Sequence, residues 1–281
     1  MTSMRSKISV LMPVYNGLPL IKASIESLLN QTYDNWECII VDDGSIDGTS
    51  EYLYSLHDPH FIIHHFSSNQ GRPAARQKTL DLATGDYIAI LDAGDLYASN
   101  SLELLLTKIQ EHPEVSLVSA SMCSFGTTTT LLRKRGADKE QVMKFDDLSF
   151  PNHASSMLQA ARAKRFKYNP LMKLGQDKDF LERYLAKTSW LAIPDIVYYY
   201  SEFDSVNKKK IRHSYRLIIV NNFKKRQHIK MLKYIAKYIY SLIIFPFIPT
   251  TTIIKRRGRP LREEEKVTYY KECKKIWEKY L

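Results

Sequence analysis

The first 120 residues alternate between strand and helix signals, and this alternation limits the possible folds more than any other feature of the sequence. Short apolar runs at 8–12 and 36–41 are typical of buried strands, whereas 20–29 has apolar residues at helical spacing. Strands that alternate with helices pair in parallel through crossover connections, so we expect an α/β fold with a mostly parallel central sheet flanked by helices. The predicted strands are 8–12, 36–41, 61–66, 87–91 and 115–120, and the predicted helices are 20–29, 49–56, 73–83 and 99–110.

Polar and aromatic side chains follow three of the predicted strands at the point where each strand ends. Asp42 and Asp43 come directly after the second strand. Asp92 and Asp95 follow the fourth strand, and Tyr15 follows the first. Ligands of open α/β sheets bind outside the carboxyl ends of the strands, so these side chains are expected to share one edge. Because clustered carboxylates repel one another unless a cation compensates, a divalent metal bound with a nucleotide diphosphate is the simplest interpretation.

Beyond residue 120 the alternation weakens. A strand is predicted at 127–132, a helix at 177–187 and a strand at 190–199 that Pro194 interrupts. The helix is expected to turn four apolar side chains inward, Phe180, Leu181, Tyr184 and Leu185. This half of the chain is interpreted as an extension of the sheet.

Four segments in order along the chain resemble glycosyltransferase family 2, whose members have the GT-A fold. They read ISVLMPVYNG, SIESLLNQTYDNWECIIVDDGSIDGTSEYL, NQGRPAARQKTLDLATGDYIAILDAGD and LGQDKDFLERYL. The resemblance extends from about residue 8 to residue 206. It implies a glycosyltransferase with a nucleotide-binding part at about 1–120 and an acceptor-side part at about 121–206. The donor implied is a nucleotide-sugar, expected to be a UDP-sugar.

The resemblance also assigns roles on the nucleotide side. It implies that Pro13 and Tyr15 lie under the nucleotide base. Asp43 matches a carboxylate that accepts a hydrogen bond from the uracil ring N–H, with Asp42 beside it. Two further residues match the lining of the nucleotide site, Asn69 and Arg76.

Asp92 and Asp95 fall in the metal-binding motif of the family, which implies Mn²⁺ or Mg²⁺ bridging the donor diphosphate. Asp92 also counts among the nucleotide-binding residues. Asp177 matches the catalytic base of inverting members, which takes the proton from the acceptor hydroxyl. The sequence departs from the family pattern at Gly94, where a further carboxylate is common. This departure keeps open a second hypothesis, a catalytically weak scaffold that binds nucleotide-sugars at a membrane.

Each assigned residue also has a structural interpretation. The segment 42–45 is typical of a turn that caps a helix, since Asp, Ser and Gly are frequent there. Asp177 is favourable at a helix start through the helix dipole alone. Arg76 is equally consistent with a structural ion pair, and His153 with a buried structural histidine.

The net positive charge of the chain comes from its C-terminal part. The whole chain has a net charge of +11, and the segment 208–262 contains sixteen Lys or Arg residues and no Asp or Glu. Four basic residues recur at helical spacing and are expected to share one face, Arg226, Lys230, Lys233 and Lys237. The other face is expected to carry Leu232, Ile235, Ala236 and Ile239. We therefore predict a basic amphipathic region over 207–281, after a catalytic domain over 1–206.

An apolar stretch at 238–254 follows, interrupted by Pro246 and Pro249. It is shorter than the roughly 20 apolar residues of a spanning helix, and basic residues flank both ends. An interfacial or re-entrant element on anionic lipid is the favoured interpretation, while a packed helix and a true span stay open.

Three separate cysteines argue against a disulfide framework, and the N-terminal residues do not resemble a secretory signal. We expect a cytoplasmic protein, peripheral on the cytoplasmic face of the inner membrane. Its expected acceptor is a glycan or a polyprenyl-diphosphate-linked glycan, in the assembly of lipopolysaccharide, capsule or exopolysaccharide. Nucleic acid is not expected as a partner, because the basic region has long aliphatic runs and the strand-end carboxylates would repel a phosphate backbone.

Overall fold

Within the described residues of this computed structural model, the strands form one sheet of eleven strands, and the apolar runs of the sequence make up its centre. The structure describes residues 5–126, 132–145, 150–172, 175–201, 208–224, 226, 228–249, 252 and 258–280. The strands are β1 (Ile8–Val14), β2 (Trp36–Asp42), β3 (Phe61–His65), β4 (Tyr87–Ile90), β5 (Leu96–Tyr97), β6 (Val115–Phe125), β7 (Arg133–Arg135), β8 (Gln141–Lys144), β9 (Ser156–Gln159), β10 (Ser189–Ser201) and β11 (Arg259–Pro260).

Helices cover both faces of this sheet and form most of the C-terminal region. They are α1 (Ile21–Leu29), α2 (Thr49–Tyr54), α3 (Arg72–Leu82), α4 (Ser101–Glu111), α5 (Ala160–Ala163), α6 (Gln176–Tyr184), α7 (Lys208–Lys224), α8 (His228–Ile244), α9 (Glu263–Tyr269) and α10 (Lys275–Lys279). A π-helical turn, Tyr270–Lys274, joins the last two.

Strands β1 to β4 form the parallel part of the sheet, in the order β4, β1, β2, β3. All strands and helices predicted within the first 120 residues are confirmed. Their ends agree to within two residues, except that β6 extends five residues further. Parallel pairing brings the carboxyl ends of β1, β2 and β4 to one edge, where the acidic segments were expected.

The other half of the sheet is mixed. Strand β9 lies antiparallel between β4 and β6, whereas β10 runs parallel to β6. Strand β9 was not predicted because Met157 and Leu158 are buried on opposite faces of the sheet, so the segment shows no alternation. The interruption predicted at Pro194 coincides with a register shift between β10 and β6 from Ala192 to Ile196. The strand predicted at 127–132 falls, apart from Leu132, outside the described residues.

Two apolar layers hold the sheet between the helices. One face packs against α1 and α4, and the other packs against α3 and α6. The four side chains of α6 that were predicted to face inward are all buried, namely Phe180, Leu181, Tyr184 and Leu185. These layers fix the strand ends, and therefore the loops that carry the polar residues.

Helices α7 and α8 form a hairpin. Their contacts include Arg212, which donates a hydrogen bond to the backbone oxygen of Ser241 at 3.3 Å, and a ring contact between Tyr215 and Tyr234 at 6.1 Å. Arg226 lies in the turn between the two helices and not on α8, where the spacing had placed it. Within the described residues, no helix combines the length and the apolarity that a membrane crossing requires.

The C-terminal segment returns to the sheet. Strand β11 pairs with β7, and Tyr269, Cys273 and Trp277 lie in a third buried cluster with Phe125 of β6. Lys279 forms an ion pair with Glu26 of α1 at 2.7 Å. Residues 258–280 therefore pack on the sheet domain, although the sequence grouped them with the basic region. The division of the chain at residue 206 stays a prediction.

Candidate active site

A first cavity of about 340 Å³ opens at the carboxyl edge of β1, β2 and β4. It is lined by several of the residues selected from the sequence, Pro13, Tyr15, Asp43, Asn69 and Asp92, and by Arg72. Gly44 allows the loop after β2 to approach the loop that carries Asn69, because its φ is +73° and a Cβ there would lie 2.7 Å from the backbone of Ser68. The predicted edge of the sheet therefore holds a cavity.

Asp43 joins two of the loops around the first cavity. Its two carboxylate oxygens accept hydrogen bonds from the backbone N–H groups of Gln70 and Gly71, at 2.7 and 2.9 Å. Each oxygen has a second lone pair, so Asp43 keeps the capacity to accept from a ligand. Beside it, Tyr15 is about half exposed and presents its ring to the solvent side of the cavity.

Asp42 lies beneath the cavity and is fully buried. Its carboxylate accepts hydrogen bonds from Ser45 and Ser50 and contacts the Nδ1 atom of His65 at 3.1 Å. Burial opposes its ionisation, but the hydrogen bonds outweigh burial and hold the pKa of Asp42 below its ordinary value. Asp42 thus fixes the loop after β2, and a direct role in nucleotide binding stays a prediction.

Arg76 and Asp92 form an ion pair between α3 and the loop after β4. The Nη2 atom of Arg76 lies 2.9 and 3.0 Å from the two oxygens of Asp92. Burial disfavours the charged carboxylate, yet the Arg76 guanidinium holds the pKa of Asp92 below its ordinary value. The Asp92 side chain is 31% exposed while that of Arg76 is 6% exposed, so the carboxylate faces the cavity from a buried support.

Asp95 points away from solvent into the sheet. Only 4% of it is exposed, and its oxygens accept hydrogen bonds from the Tyr198 hydroxyl at 2.7 Å and the Ser201 backbone N–H at 2.8 Å. Burial and the nearby charge of Asp92 raise the pKa of Asp95 well above its ordinary value. These hydrogen bonds connect the loop after β4 to β10. The role of Asp95 as a metal ligand stays a prediction.

Replacing Asp95 by alanine is therefore expected to destabilise the protein by about 1–3 kcal/mol for each buried group left unpaired. Tyr198→Phe removes one of these groups, so the double variant should lose less than the sum of the two single variants. Urea denaturation of the three variants measures this coupling. Strict additivity would show that the contact between Asp95 and Tyr198 carries no stability.

A second cavity of about 430 Å³ lies next to the first and shares Arg72 and Asp92 with it. Asp177, at the start of α6, lines the second cavity. Its Oδ1 atom accepts a hydrogen bond from the backbone N–H of Lys178 at 2.9 Å. Gly175 precedes the helix with a φ of +74°, which turns the chain so that the first residues of α6 meet the cavity.

His153 lines the same cavity from the loop before β9. A hydrogen bond of 3.0 Å joins its Nε2 atom to the Tyr168 hydroxyl. Burial, with the charge of Arg76, lowers the pKa of His153 to about 4, so the imidazole is neutral at neutral pH. His153 is therefore a buried, hydrogen-bonded histidine, as its structural interpretation predicted, and it also lines the second cavity.

Comparison with known proteins decides the family. Residues 9–169, more than half of the chain, match the family described as glycosyl transferase family 2. The chain belongs to glycosyl transferase family 2. Among eight curated relatives, the aligned part spans 16% to 45% of the relative's length for seven, and 89% for the eighth.

The name of one relative specifies both a donor and an acceptor. It is the UDP-Glc:alpha-D-GlcNAc-diphosphoundecaprenol beta-1,3-glucosyltransferase WfgD of Escherichia coli, 37% identical over 100 residues. That alignment spans 36% of this chain and 40% of WfgD.

Two solved structures share the fold. TarS 1–349 of S. aureus in complex with UDP-GlcNAc has a TM-score of 0.61 at 19% identity, covering 96% of this chain and 80% of that one. The mannosyltransferase PcManGT of Pyrobaculum calidifontis, in complex with GDP-Man and Mn²⁺, has a TM-score of 0.61 at 16% identity, covering 90% of this chain and 74% of that one. At these identities the likeness shows the fold alone, and the chain has the GT-A fold that the resemblance implied.

The residues of the family 2 site accommodate a divalent metal through one carboxylate. Within the described part of the chain, no group of three or more His, Cys, Asp or Glu residues is arranged to hold a metal ion. Magnesium is nevertheless often bound by one or two carboxylates together with substrate phosphates and water. Asp92 meets this requirement because it lines both cavities, whereas Asp95 lines neither of them.

Sequence reasoning missed two cationic residues of the site, Arg72 and Lys178. Each lies in the first turn of a helix, α3 or α6, where a positive charge opposes the helix dipole. That unfavourable position is a signal that the charge serves a ligand, and it was readable from the sequence. Tyr198 was also missed as the partner of Asp95, because it occurs in a run of three tyrosines typical of a packed strand.

Proposed function

We propose that the chain transfers a sugar from a nucleotide-sugar, a UDP-sugar, to a hydroxyl group of a glycan or lipid-linked acceptor. The observation that carries this proposal is the pair of adjacent cavities that share Arg72 and Asp92. A donor in the first cavity and an acceptor in the second would place the donor diphosphate at these two residues. The nucleotide-sugars in the names of WfgD and TarS support the choice of donor.

In this proposal the first cavity binds the nucleotide. Tyr15 and Pro13 contact the base, Asp43 accepts from the uracil N–H, and Asn69 lines the opposite side. The guanidinium of Arg72 suits a diphosphate, since its planar set of donors matches phosphate oxygens. Arg76 acts through Asp92, which it holds in place.

A bound Mn²⁺ or Mg²⁺, held by Asp92 together with the diphosphate oxygens of the donor, would stabilise the negative charge of the leaving group. Asp177 takes the proton from the acceptor hydroxyl as the oxygen of that hydroxyl forms a bond to the anomeric carbon of the donor sugar. The bond from that carbon to the diphosphate breaks on the opposite face, which inverts the configuration. The nucleoside diphosphate leaves with the bonding electrons.

A screen of nucleotide-sugars with added Mn²⁺ or Mg²⁺ tests this function. We expect turnover of a UDP-sugar that EDTA abolishes and either metal restores, because the diphosphate is a poor leaving group without charge compensation. Asp92→Asn should impair the metal response more than Glu103→Gln, a matched change outside the described cavities. Full turnover in excess chelator would contradict the role of the metal.

One observation favours a second candidate, the catalytically weak scaffold. Gly94 stands where the family often has a carboxylate, and both oxygens of Asp95 accept hydrogen bonds within the sheet. Of the two carboxylates in the loop after β4, Asp92 alone then lines the two cavities. Donor hydrolysis with metal present distinguishes the two candidates, since a scaffold binds UDP, which calorimetry measures, but hydrolyses and transfers no sugar.

We also propose that the helical hairpin binds the cytoplasmic face of the inner membrane. Several apolar side chains of α8 are half exposed or more, namely Ile229, Leu232, Ile239 and Ile243. Their spacings of three, seven and four residues place them on one face of the helix. Lys233 and Lys237 are exposed on the same helix, and the side chain of Lys230 lies outside the described part. An apolar face with basic residues beside it is typical of an interfacial helix on anionic lipid.

Replacing Arg226, Lys233 and Lys237 by glutamine should weaken binding to vesicles that contain phosphatidylglycerol, by about 1 kcal/mol per charge near the surface. Binding to neutral phosphatidylcholine vesicles should change little, and the loss should shrink as salt rises. Vesicle flotation at two salt concentrations measures both. Equal recovery of the triple variant and the wild type with anionic vesicles would contradict the proposal.

A lipid-linked acceptor at the membrane supports a role in assembling a surface polysaccharide, such as lipopolysaccharide, capsule or exopolysaccharide. The name of WfgD, which includes a diphosphoundecaprenol acceptor, points in the same direction. Nucleic acid is not proposed as a partner, because exposed aliphatic side chains accompany the basic residues of the hairpin.

A further inference from the structure

The start of α6 carries a buried amide that has no hydrogen-bond partner. Gln176 is the first residue of this helix and is only 3% exposed. Its Oε1 atom is enclosed and accepts no hydrogen bond, and its amide nitrogen makes none within the described part of the chain. Burial of an unpaired amide is unfavourable, and native proteins leave few side chains in this state. A residue that breaks this rule is often kept for a ligand.

Apolar packing does not account for a glutamine at this position. Phe180 and Tyr184 follow Gln176 at intervals of four residues, and both are buried. Side chains four residues apart share one face of a helix, so Gln176 continues the apolar face of α6. A methionine has a similar shape and would fill this place without burying an amide.

Helix capping does not account for Gln176 either. The residue at the N-cap is Gly175, and α6 has no side-chain cap. The carboxylate of Asp177 accepts a hydrogen bond from the Lys178 N–H at this end of the helix, whereas the Gln176 amide contributes none. Neither the helix nor its packing on the sheet therefore requires the amide.

The second cavity is the space that the amide can serve. Gln176 and Asp177 are consecutive residues, and both line this cavity. An amide side chain both donates and accepts hydrogen bonds, and so does a sugar hydroxyl. Because the two residues are neighbours at the start of α6, chemical groups that contact both of them must lie close together on the bound molecule.

We propose that Gln176 binds the hydroxyl group of the acceptor sugar that neighbours the attacking hydroxyl. This inference rests on the proposed transfer function and adds the class of acceptor, a sugar that presents two adjacent hydroxyl groups. Asp177 receives the proton of one hydroxyl, while the Gln176 amide hydrogen-bonds the other. Gln176 thereby determines which hydroxyl meets the base. A sugar that lacks the neighbouring hydroxyl leaves the amide unpaired and is a poor acceptor.

Transfer to matched sugars tests this inference. The probes are the methyl glycosides of glucose, galactose and N-acetylglucosamine, each compared with derivatives that lack one ring hydroxyl. The linkage of the product identifies the attacking hydroxyl. With the wild type, a UDP-sugar and Mn²⁺, loss of the neighbouring hydroxyl should lower kcat/KM by at least about tenfold. Gln176→Met should lower kcat/KM for the intact sugar by a similar factor, remove the difference between the two sugars, and leave the KM of the donor unchanged.

Urea denaturation adds a measurement that needs no acceptor. The urea midpoint of Gln176→Met should equal that of the wild type or exceed it, because the variant no longer buries an unpaired amide. An amide with a structural role would give a lower midpoint. Gln110→Met on α4 is the matched control, since Gln110 is exposed and lines neither cavity. This control should leave the selectivity for the acceptor unchanged.

The outcomes separate this inference from the function on which it rests. Selectivity that survives Gln176→Met, or a lower urea midpoint of that variant, would overturn the inference. Transfer to none of the glycosides by a wild type that hydrolyses a UDP-sugar would overturn it as well. Failure of the wild type to turn over any UDP-sugar would instead overturn the proposed function.

Discussion

Replacing Asp177 by asparagine is expected to lower sugar transfer by about 10²- to 10⁴-fold while UDP affinity and folding stay unchanged. The acceptor hydroxyl is a poor nucleophile until its proton begins to leave, and an amide cannot take that proton. Asparagine keeps the size of the side chain and its oxygen, which accepts the Lys178 N–H hydrogen bond at the start of α6. The substitution thus separates the proposed chemistry from a structural role. Initial rates at saturating donor and acceptor measure the effect.

Asp179→Asn provides the control within the same helix turn. Asp179 forms an ion pair with Arg183 at 2.8 Å, one turn along α6, and is not placed in the second cavity. Its substitution should leave transfer nearly unchanged, because Asp179 does not line the second cavity. Transfer near the wild-type rate by Asp177→Asn would show that another group acts as base. Equal losses in both variants would indicate a general effect on α6.

Replacing Trp277 by alanine is expected to lower the free energy of unfolding by about 3–5 kcal/mol. The Trp277 side chain is 4% exposed and packs edge-on against Phe125 of β6, with ring centres 4.9 Å apart. A cavity would open in the third cluster, which also contains Leu96 and Ala98. Leu96 directly follows Asp95 and Ala98 lies two residues further along, so the loop after β4 should loosen as well.

Chemical denaturation measures the loss of stability, and UDP titration measures the effect on the loop. Tyr270→Ala is the control, because that tyrosine neighbours the same helix but is 44% exposed. This substitution should lower the free energy of unfolding much less, as surface substitutions usually do. A Trp277→Ala variant as stable as Tyr270→Ala would contradict the view that the C-terminal segment belongs to the sheet domain.

The parts of the fold that the sequence predicted well are those where one physical signal dominates. Strands β1, β2 and β4 are mostly buried apolar runs, and α1 and α4 have one apolar face, so periodicity alone locates them. The carboxyl-edge position of Asp43 and Asp92 followed from the handedness and parallel pairing of such units. Sequence also located Asp177 at a helix start, since α6 has a clear apolar face.

The features that the sequence did not reveal depend on contacts between distant segments. Nothing local indicates that Asp95 turns inward, because its partners Tyr198 and Ser201 lie more than 100 residues further along the chain. The return of the C-terminal segment depends on the pairing of β11 with β7, which involves only two residues of β11. Because the C-terminal region is rich in basic residues, its sequence pattern did not indicate that a few of its side chains are buried.

The helical hairpin of α7 and α8 is inserted in the chain between β10 and β11, so it can be removed while the C-terminal segment is kept. Strands β10 and β11 are separated in the sheet only by β6 and β7. At about 4.8 Å per strand spacing, the chain leaves and re-enters the domain about 15 Å apart across the sheet. A linker of about six residues spans that distance. Joining Ser201 to Gly258 in this way would remove the hairpin and keep Trp277, whereas a truncation at Lys224 would remove α8 and Trp277 together. The excised chain would keep the first cavity and lose the helices that are proposed to bind the membrane, so the rate with a water-soluble acceptor could be compared directly with the rate at a bilayer.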